Sequence, residues 1–171
     1  MRAWLFAAVC LIVGLGSVTA QVEFKPYASS AGRYKVLFPG AVKSETIDVK
    51  MDKADLKVTI DSVELRAGTS FLITYADAPD DVAKAPAGMR FDKVRDANKG
   101  EDGKILEEKE LTIGDEKYPA RDVLIENASG CVRNRIVIAG TRLYQVMIQG
   151  SKDVVTSPSA DRFLASFEVT K

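Results

Sequence analysis

The sequence predicts a single α+β domain, a mostly antiparallel sheet flanked by helices. Three observations carry this. Short runs of alternating apolar residues recur along the chain, joined by links too short for parallel crossovers. Two stretches, one mid-chain and one near the C-terminus, have helical spacing instead. No repeat, low-complexity segment or shift in composition marks a second domain.

The elements follow in order. Arg2, the apolar run 3–13 and the small residues Val18 and Ala20 form a secretory signal over 1–20, with cleavage expected between Ala20 and Gln21. That run is too short for a confident membrane span, so no stable span is expected after cleavage. An uncleaved signal anchor is the minority reading, and a lipidated Cys10 is a poorer one, because Val9 stands where a small residue is expected. Residues 21–31 read as a lead-in and 32–171 as the domain. Tyr34, Val36 and Phe38 alternate in a first strand stopped by Pro39-Gly40, and Ile47, Val49 and Met51 alternate in a second. Residues 52–55 are polar enough to turn the chain.

The third strand changes phase. Leu56, Val58 and Ile60 form one apolar set, and Val63 and Leu65 form another displaced by one residue. A β-bulge near Asp61-Ser62 is the expected reconciliation. Phe71, Ile73 and Tyr75 give a fourth strand. A connection over 76–86 with two prolines leads to a helix over 87–98, ended by Gly100 and Gly103. Further strands carry Leu106, Leu111 and Ile113, then Val123 and Ile125, then Val132, Ile136 and Ile138. The total is seven or eight strands.

The chain closes on its most legible stretch. Tyr144, Val146 and Ile148 share one face of a strand over 142–150, and Leu143 and Met147 are apolar on the other, so both faces should be covered. Ser157 is a good N-cap and Pro158 suits the first helical position. Ala160, Phe163, Leu164 and Phe167 then form one apolar stripe that packs back on the strand.

Composition excludes several functions. About 150 residues remain after signal removal, enough for one core. The 24 basic and 24 acidic residues cancel, so neither nucleic acid nor an anionic membrane surface is an expected partner. Cys10 leaves with the signal, and Cys131 then has no partner within the chain. Histidine is absent, which removes the commonest metal ligand and general base. No phosphate loop, nucleophile motif or metal spacing stands out. No cofactor and no catalytic residue are assigned.

Three pieces carry a family resemblance: GRYKVLFPG at 32–40, GKILEEKELTIGDEKYPARDVLI at 103–125, and TRLYQVMIQGSKDVVTSPSADRFLASFEV at 141–169. Together they resemble small secreted bacterial domains of the PsbP-like/Mog1-like α/β/α sandwich group. The resemblance implies an antiparallel sheet flanked by helices, and action by binding partners rather than by catalysis. None of that group's functional residues matches a position here, so the resemblance informs fold more than function.

Candidate sites are few. Asp96, Asn98 and Glu107 have the spacing of positions in a calcium loop, but Glu101 stands where glycine is needed, so a solvated helix end is expected. Cys131 reads as a small semi-buried hydrophobe, or else as half of an intermolecular disulfide. Asn127-Ala128-Ser129 has the form of a glycosylation acceptor. Arg121, Arg133, Arg135 and Arg142 fall on neighbouring strands and form a possible patch for an acidic partner, against the alternative of pairing with acids such as Asp122 or Glu126.

The expectation is a secreted or periplasmic, non-catalytic domain that binds an envelope or extracellular protein. The rival is a carrier of a small apolar or anionic ligand between sheet and helix, with a pocket near Phe91, Val94 and Tyr144. A hydrolase built on clustered carboxylates comes third.

Overall fold

A computed structural model of the chain describes residues 23–50 and 55–171. The signal segment 1–20, Met51 and the turn at 52–54 lie outside the described residues. The elements are β1 (Lys25–Ser29), β2 (Tyr34–Phe38), β3 (Lys43–Lys50), β4 (Asp55–Leu65), β5 (Thr69–Asp77), α1 (Asp80–Ala83) and α2 (Ala87–Lys99). They continue with β6 (Lys104–Ile113), β7 (Tyr118–Asn127), β8 (Gly130–Ala139), β9 (Arg142–Gly150), α3 (Lys152–Val155), α4 (Pro158–Ala165) and β10 (Glu168–Val169).

Seven strands form one antiparallel sheet in the order β3-β4-β5-β9-β8-β7-β6, and β1, β2 and β10 form a second. Central β9 alternates buried and half-buried residues along its length, because it is covered on both faces. On one face, Tyr144, Val146 and Ile148 join Phe71 and Ile73 of β5. Tyr34, Val36 and Phe38 of β2 and Phe163 and Leu164 of α4 close over them. The Phe163 ring meets those of Phe38 and Phe71, each at 5.2 Å between centroids. On the other face, α2 sets Phe91 over Val123, Ile125, Ile136 and Ile138.

Local chemistry sets the helix ends. The Ala160 amide donates to Ser157 Oγ at 3.3 Å, the N-cap bond the sequence predicts. Gly100 ends α2 with φ of +69°, a conformation that glycine adopts without strain. Gly32 is needed for space, since a Cβ there would lie 2.6 Å from the Tyr34 ring. That close approach lets the Tyr144 hydroxyl donate to Gly32 O at 2.8 Å.

Four expectations need correction. Residues 25–29 are not a lead-in: they pair along the whole of β2, so the domain begins at β1. There are ten strands among the described residues rather than seven or eight, because β1 and the two-residue β10 add to a separate small sheet. The links at 76–86 and 151–157 each contain a one-turn helix, α1 and α3. β4 has no bulge at Asp61-Ser62, and its pairing with both neighbours is regular. Its phase change arises because one end is covered on one face and the other end on the opposite face. The bulge lies in β6 instead, between Ile105 and Glu107.

Candidate functional site

The four arginines do not form one patch. Arg121 stands opposite Ile136 and so lies on the α2 face, whereas Arg135 stands opposite Asp122 on the other face. Each has its own acids. Arg121 donates to Asp92 at 2.6 Å and to Glu108 and Glu110 at 2.8 Å, with its guanidinium 5.0 Å from the Phe91 ring centroid. Arg135 grips Asp122 with two bonds, of 2.6 and 2.7 Å, and donates to Leu164 O at 2.8 Å. Arg133 donates to Asp161 of α4 at 2.7 Å. Arg142 grips Asp77 at 2.8 and 2.6 Å and donates to Ala31 O at 2.7 Å. That geometry holds the Asp77 carboxyl below its usual range.

Arg133 and Arg135 do line a groove of about 580 Å³ beside β6 and β7. Its basic groups, with Lys109, are matched by Glu107, Asp122 and Asp161, while the Glu108 carboxylate turns to Arg121 on the opposite face. The groove presents no net positive charge to an acidic partner, so these arginines fasten α4 and the sheet together. The acids that do converge, Asp92, Glu108 and Glu110, meet on Arg121. The Arg121 guanidinium at that junction ties them into one ion-pair network.

The remaining small motifs are engaged locally. Asp96 pairs with Arg95 at 2.9 Å, and the Asn98 amide donates inward to Val94 O and to Gln145 Oε1. The Asn127 amide donates to Asn98 O. Cys131 is a free thiol within the aromatic core.

A buried carboxylate escaped sequence reasoning. Asp61 is 1% exposed and accepts a short hydrogen bond from the Tyr34 hydroxyl, while its Oδ1 has no partner among the described residues. Burial raises the Tyr34 hydroxyl pKa well above its ordinary value, and the bond to Asp61 adds to the effect. The rings of Tyr27 and Tyr75 close around Tyr34 at 6.2 and 6.0 Å. Asp61 thus pins β4 to β2 from inside the core. The phase change in the apolar pattern was the only signal of it in the sequence.

The most distinctive open feature lies on the α2 face, toward β3. Val58 and Ile60 stand opposite Ile47 and Glu45, and Leu56 stands opposite Val49. All of them face away from the aromatic core, because intervening Thr59 and Asp61 pair with core residues Tyr75 and Ile73. α2 does not reach this far across the sheet. Ile47 and Val49 are therefore 43% and 37% exposed on an edge strand that is exposed throughout. The surface runs inward to a cleft of about 220 Å³ between α1, α2 and the sheet. Leu56, Val58, Val82, Val94 and Leu143 line it, with Thr74 and Gln145 at its base. The pocket expected near Phe91, Val94 and Tyr144 corresponds to this cleft only at Val94: Phe91 packs on β7 and β8, and Tyr144 points to the opposite face.

No protein-family model matches the sequence, and no curated protein matches it. Among solved structures, the fold is similar to the solution structure of cyanobacterial PsbP from Synechocystis. The TM-score is 0.57 at 15% identity, over 92% of this chain and 98% of that one. The chain has a PsbP-like fold, in which mostly antiparallel sheet is flanked by helices.

Proposed function

We propose that this chain is a secreted or periplasmic, non-catalytic domain that binds an envelope or extracellular protein through the open end of its main sheet. The observation that carries the reading is an apolar strip of exposed Ile47 and Val49 on edge strand β3 and half-buried Leu56 and Val58 on β4, with the outer edge of β3 paired to no strand among the described residues. Contiguous exposed apolar surface on a soluble domain marks a binding site, and a free strand edge offers backbone hydrogen bonds to a partner. The signal-like residues 1–20 support the compartment. No helix among the described residues is long and apolar enough to cross a membrane. The non-catalytic reading is supported by how several charged groups are engaged. Arg121, Arg135 and Arg142 are held by carboxylates, and Asp61 is sealed in the core.

The test is cross-linking of the tagged protein in its own host, read by mass spectrometry, beside the double variant Ile47→Asp/Val49→Asp. One stoichiometric partner captured by the parent and lost by a normally folded variant is the expected result. Equal capture by both, or no partner where controls succeed, contradicts the reading.

The cleft favours a second reading, a carrier of a small apolar ligand. Native mass spectrometry of the purified protein would then show retained mass that is lost when Val82→Trp fills the cleft.

A further inference from the structure

One half-buried glutamine is held in a single sense. Asn98 Nδ2 donates to Val94 O at 2.8 Å and to Gln145 Oε1 at 2.9 Å. A backbone carbonyl can only accept, so the Asn98 atom beside Val94 O must be the amide nitrogen. The Gln145 atom beside that nitrogen must then be the carbonyl oxygen. Asn134, which is 1% exposed, donates from its Nδ2 to the same Oε1 at 2.9 Å. Two amides, one from α2 and one from β8, thus occupy the oxygen of Gln145 and orient its side chain. Its Nε2, with two protons to donate, has no acceptor among the described residues.

Gln145 lines the cleft between α1, α2 and the sheet. With Oε1 turned to the two asparagines, Nε2 is the end of the amide left for the cleft. Thr74, opposite Gln145 in the register, lines the same base. The walls are Leu56, Val58, Val82, Val94 and Leu143, and no charged side chain lines the cleft. An ionised head would be buried there without a counter-ion, at high cost, whereas a neutral acceptor would satisfy the Gln145 amide. At roughly 30 Å³ per water-sized group, 220 Å³ holds about seven such groups, the scale of a short alkyl chain with one polar atom.

We propose that the cleft binds a small, neutral, apolar molecule carrying one hydrogen-bond-accepting oxygen, of which a medium-chain ketone is the simplest. The alkyl chain lies among Val58, Val82 and Val94, and the carbonyl oxygen accepts from Gln145 Nε2. This deepens the carrier reading and rests on it. The partner-docking reading does not depend on it.

The test follows the isotope-labelled protein by NMR as methyl pentyl ketone is added, or the alkene in which a methylene group replaces the ketone oxygen. The alkene has the shape of the ketone and accepts no conventional hydrogen bond. The expected result is that both ligands shift the methyl signals of Val82 and Val94, while only the ketone moves the side-chain amide signal of Gln145. Heptanoate should bind at least about tenfold more weakly than the ketone. Gln145→Glu keeps an oxygen for the two asparagines and removes the donor, so it should weaken the ketone about fivefold to tenfold. Methyl shifts with both ligands but an unmoved Gln145 amide overturn the role of Gln145 while leaving the carrier reading standing. Heptanoate binding as tightly as the ketone overturns the neutral class in the same way. No methyl shift with any of the three, each added to its solubility limit, overturns both readings. The parent spectra need no variant, so they decide the matter even if Gln145→Glu fails to fold.

Discussion

The two faces of the seven-stranded sheet are finished differently. One is sealed over its central strands: β2 and α4 close over β5 and β9, and the aromatic rings there interlock at 5–6 Å. The other is covered over β7 and β8 by α2 but left open over β3 and β4. Both use the same alternating strands. What separates them is the reach of the covering layer, and a face left apolar without cover is one that stability alone does not explain. Stability should therefore depend chiefly on the first face and binding on the second.

The largest effect expected from this contrast is at Phe163. It is fully buried between Phe38 and Phe71, so Phe163→Ala should cost about 3–5 kcal/mol in chemical denaturation. A loss under about 1 kcal/mol would break the distinction between the faces.

Tyr34→Phe comes next. It removes the hydrogen bond donated to buried Asp61 and should cost about 1–3 kcal/mol. The same residue has a pH signature. Its folded pKa lies above the unfolded value of 10.0, so the folded state keeps a proton that the unfolded chain releases. Stability should be unaffected by this group below about pH 10 and fall above it. A Tyr34→Phe protein should show a shallower alkaline loss, and an unchanged slope would contradict the burial of this hydroxyl.

The Asp77–Arg142 pair gives the opposite limb. The Asp77 pKa is lowered from 3.8 by the hydrogen bond from Arg142, so its contribution is present above about pH 4 and disappears as pH falls through the folded value. Asp77 is half exposed, so the effect should be modest and weaker in high salt. Asp77→Asn should flatten that part of the acid-denaturation curve.

The smallest stability effect belongs to the open face. Ile47→Asp and Val49→Asp should each change stability by less than about 0.5 kcal/mol, measured by thermal and chemical unfolding. A large loss would mean that this strip is part of the core and not a docking surface.

The difference between the faces also explains what could be read from the sequence. The closing segment was legible because its signals are local: alternation in β9, Ser157 and Pro158 at the start of α4, and a stripe ending at Phe167. β4 misled because periodicity reports that a residue is buried, not which layer buries it. Leu56 and Val58 face the cleft while Val63 faces the aromatic core, so a regular strand imitates a bulge. The arginines misled for a related reason. Lying on neighbouring strands does not put Arg121 beside Arg133, because opposed positions are set by the Asn127-to-Gly130 turn. The burial of Arg90 on α2 had no signal at all. The side chain's neighbours at the 140–141 turn are some 50 residues away in sequence.

The most direct measurement places a photo-cross-linking residue at Ile47 on the open face, and in a second protein at Glu168 on the layer covering the sealed face. Both are expressed in the native host and irradiated. The docking account predicts a discrete protein adduct from position 47 and none from position 168. An adduct of the same partner from position 168 alone, or equally from both, would contradict it.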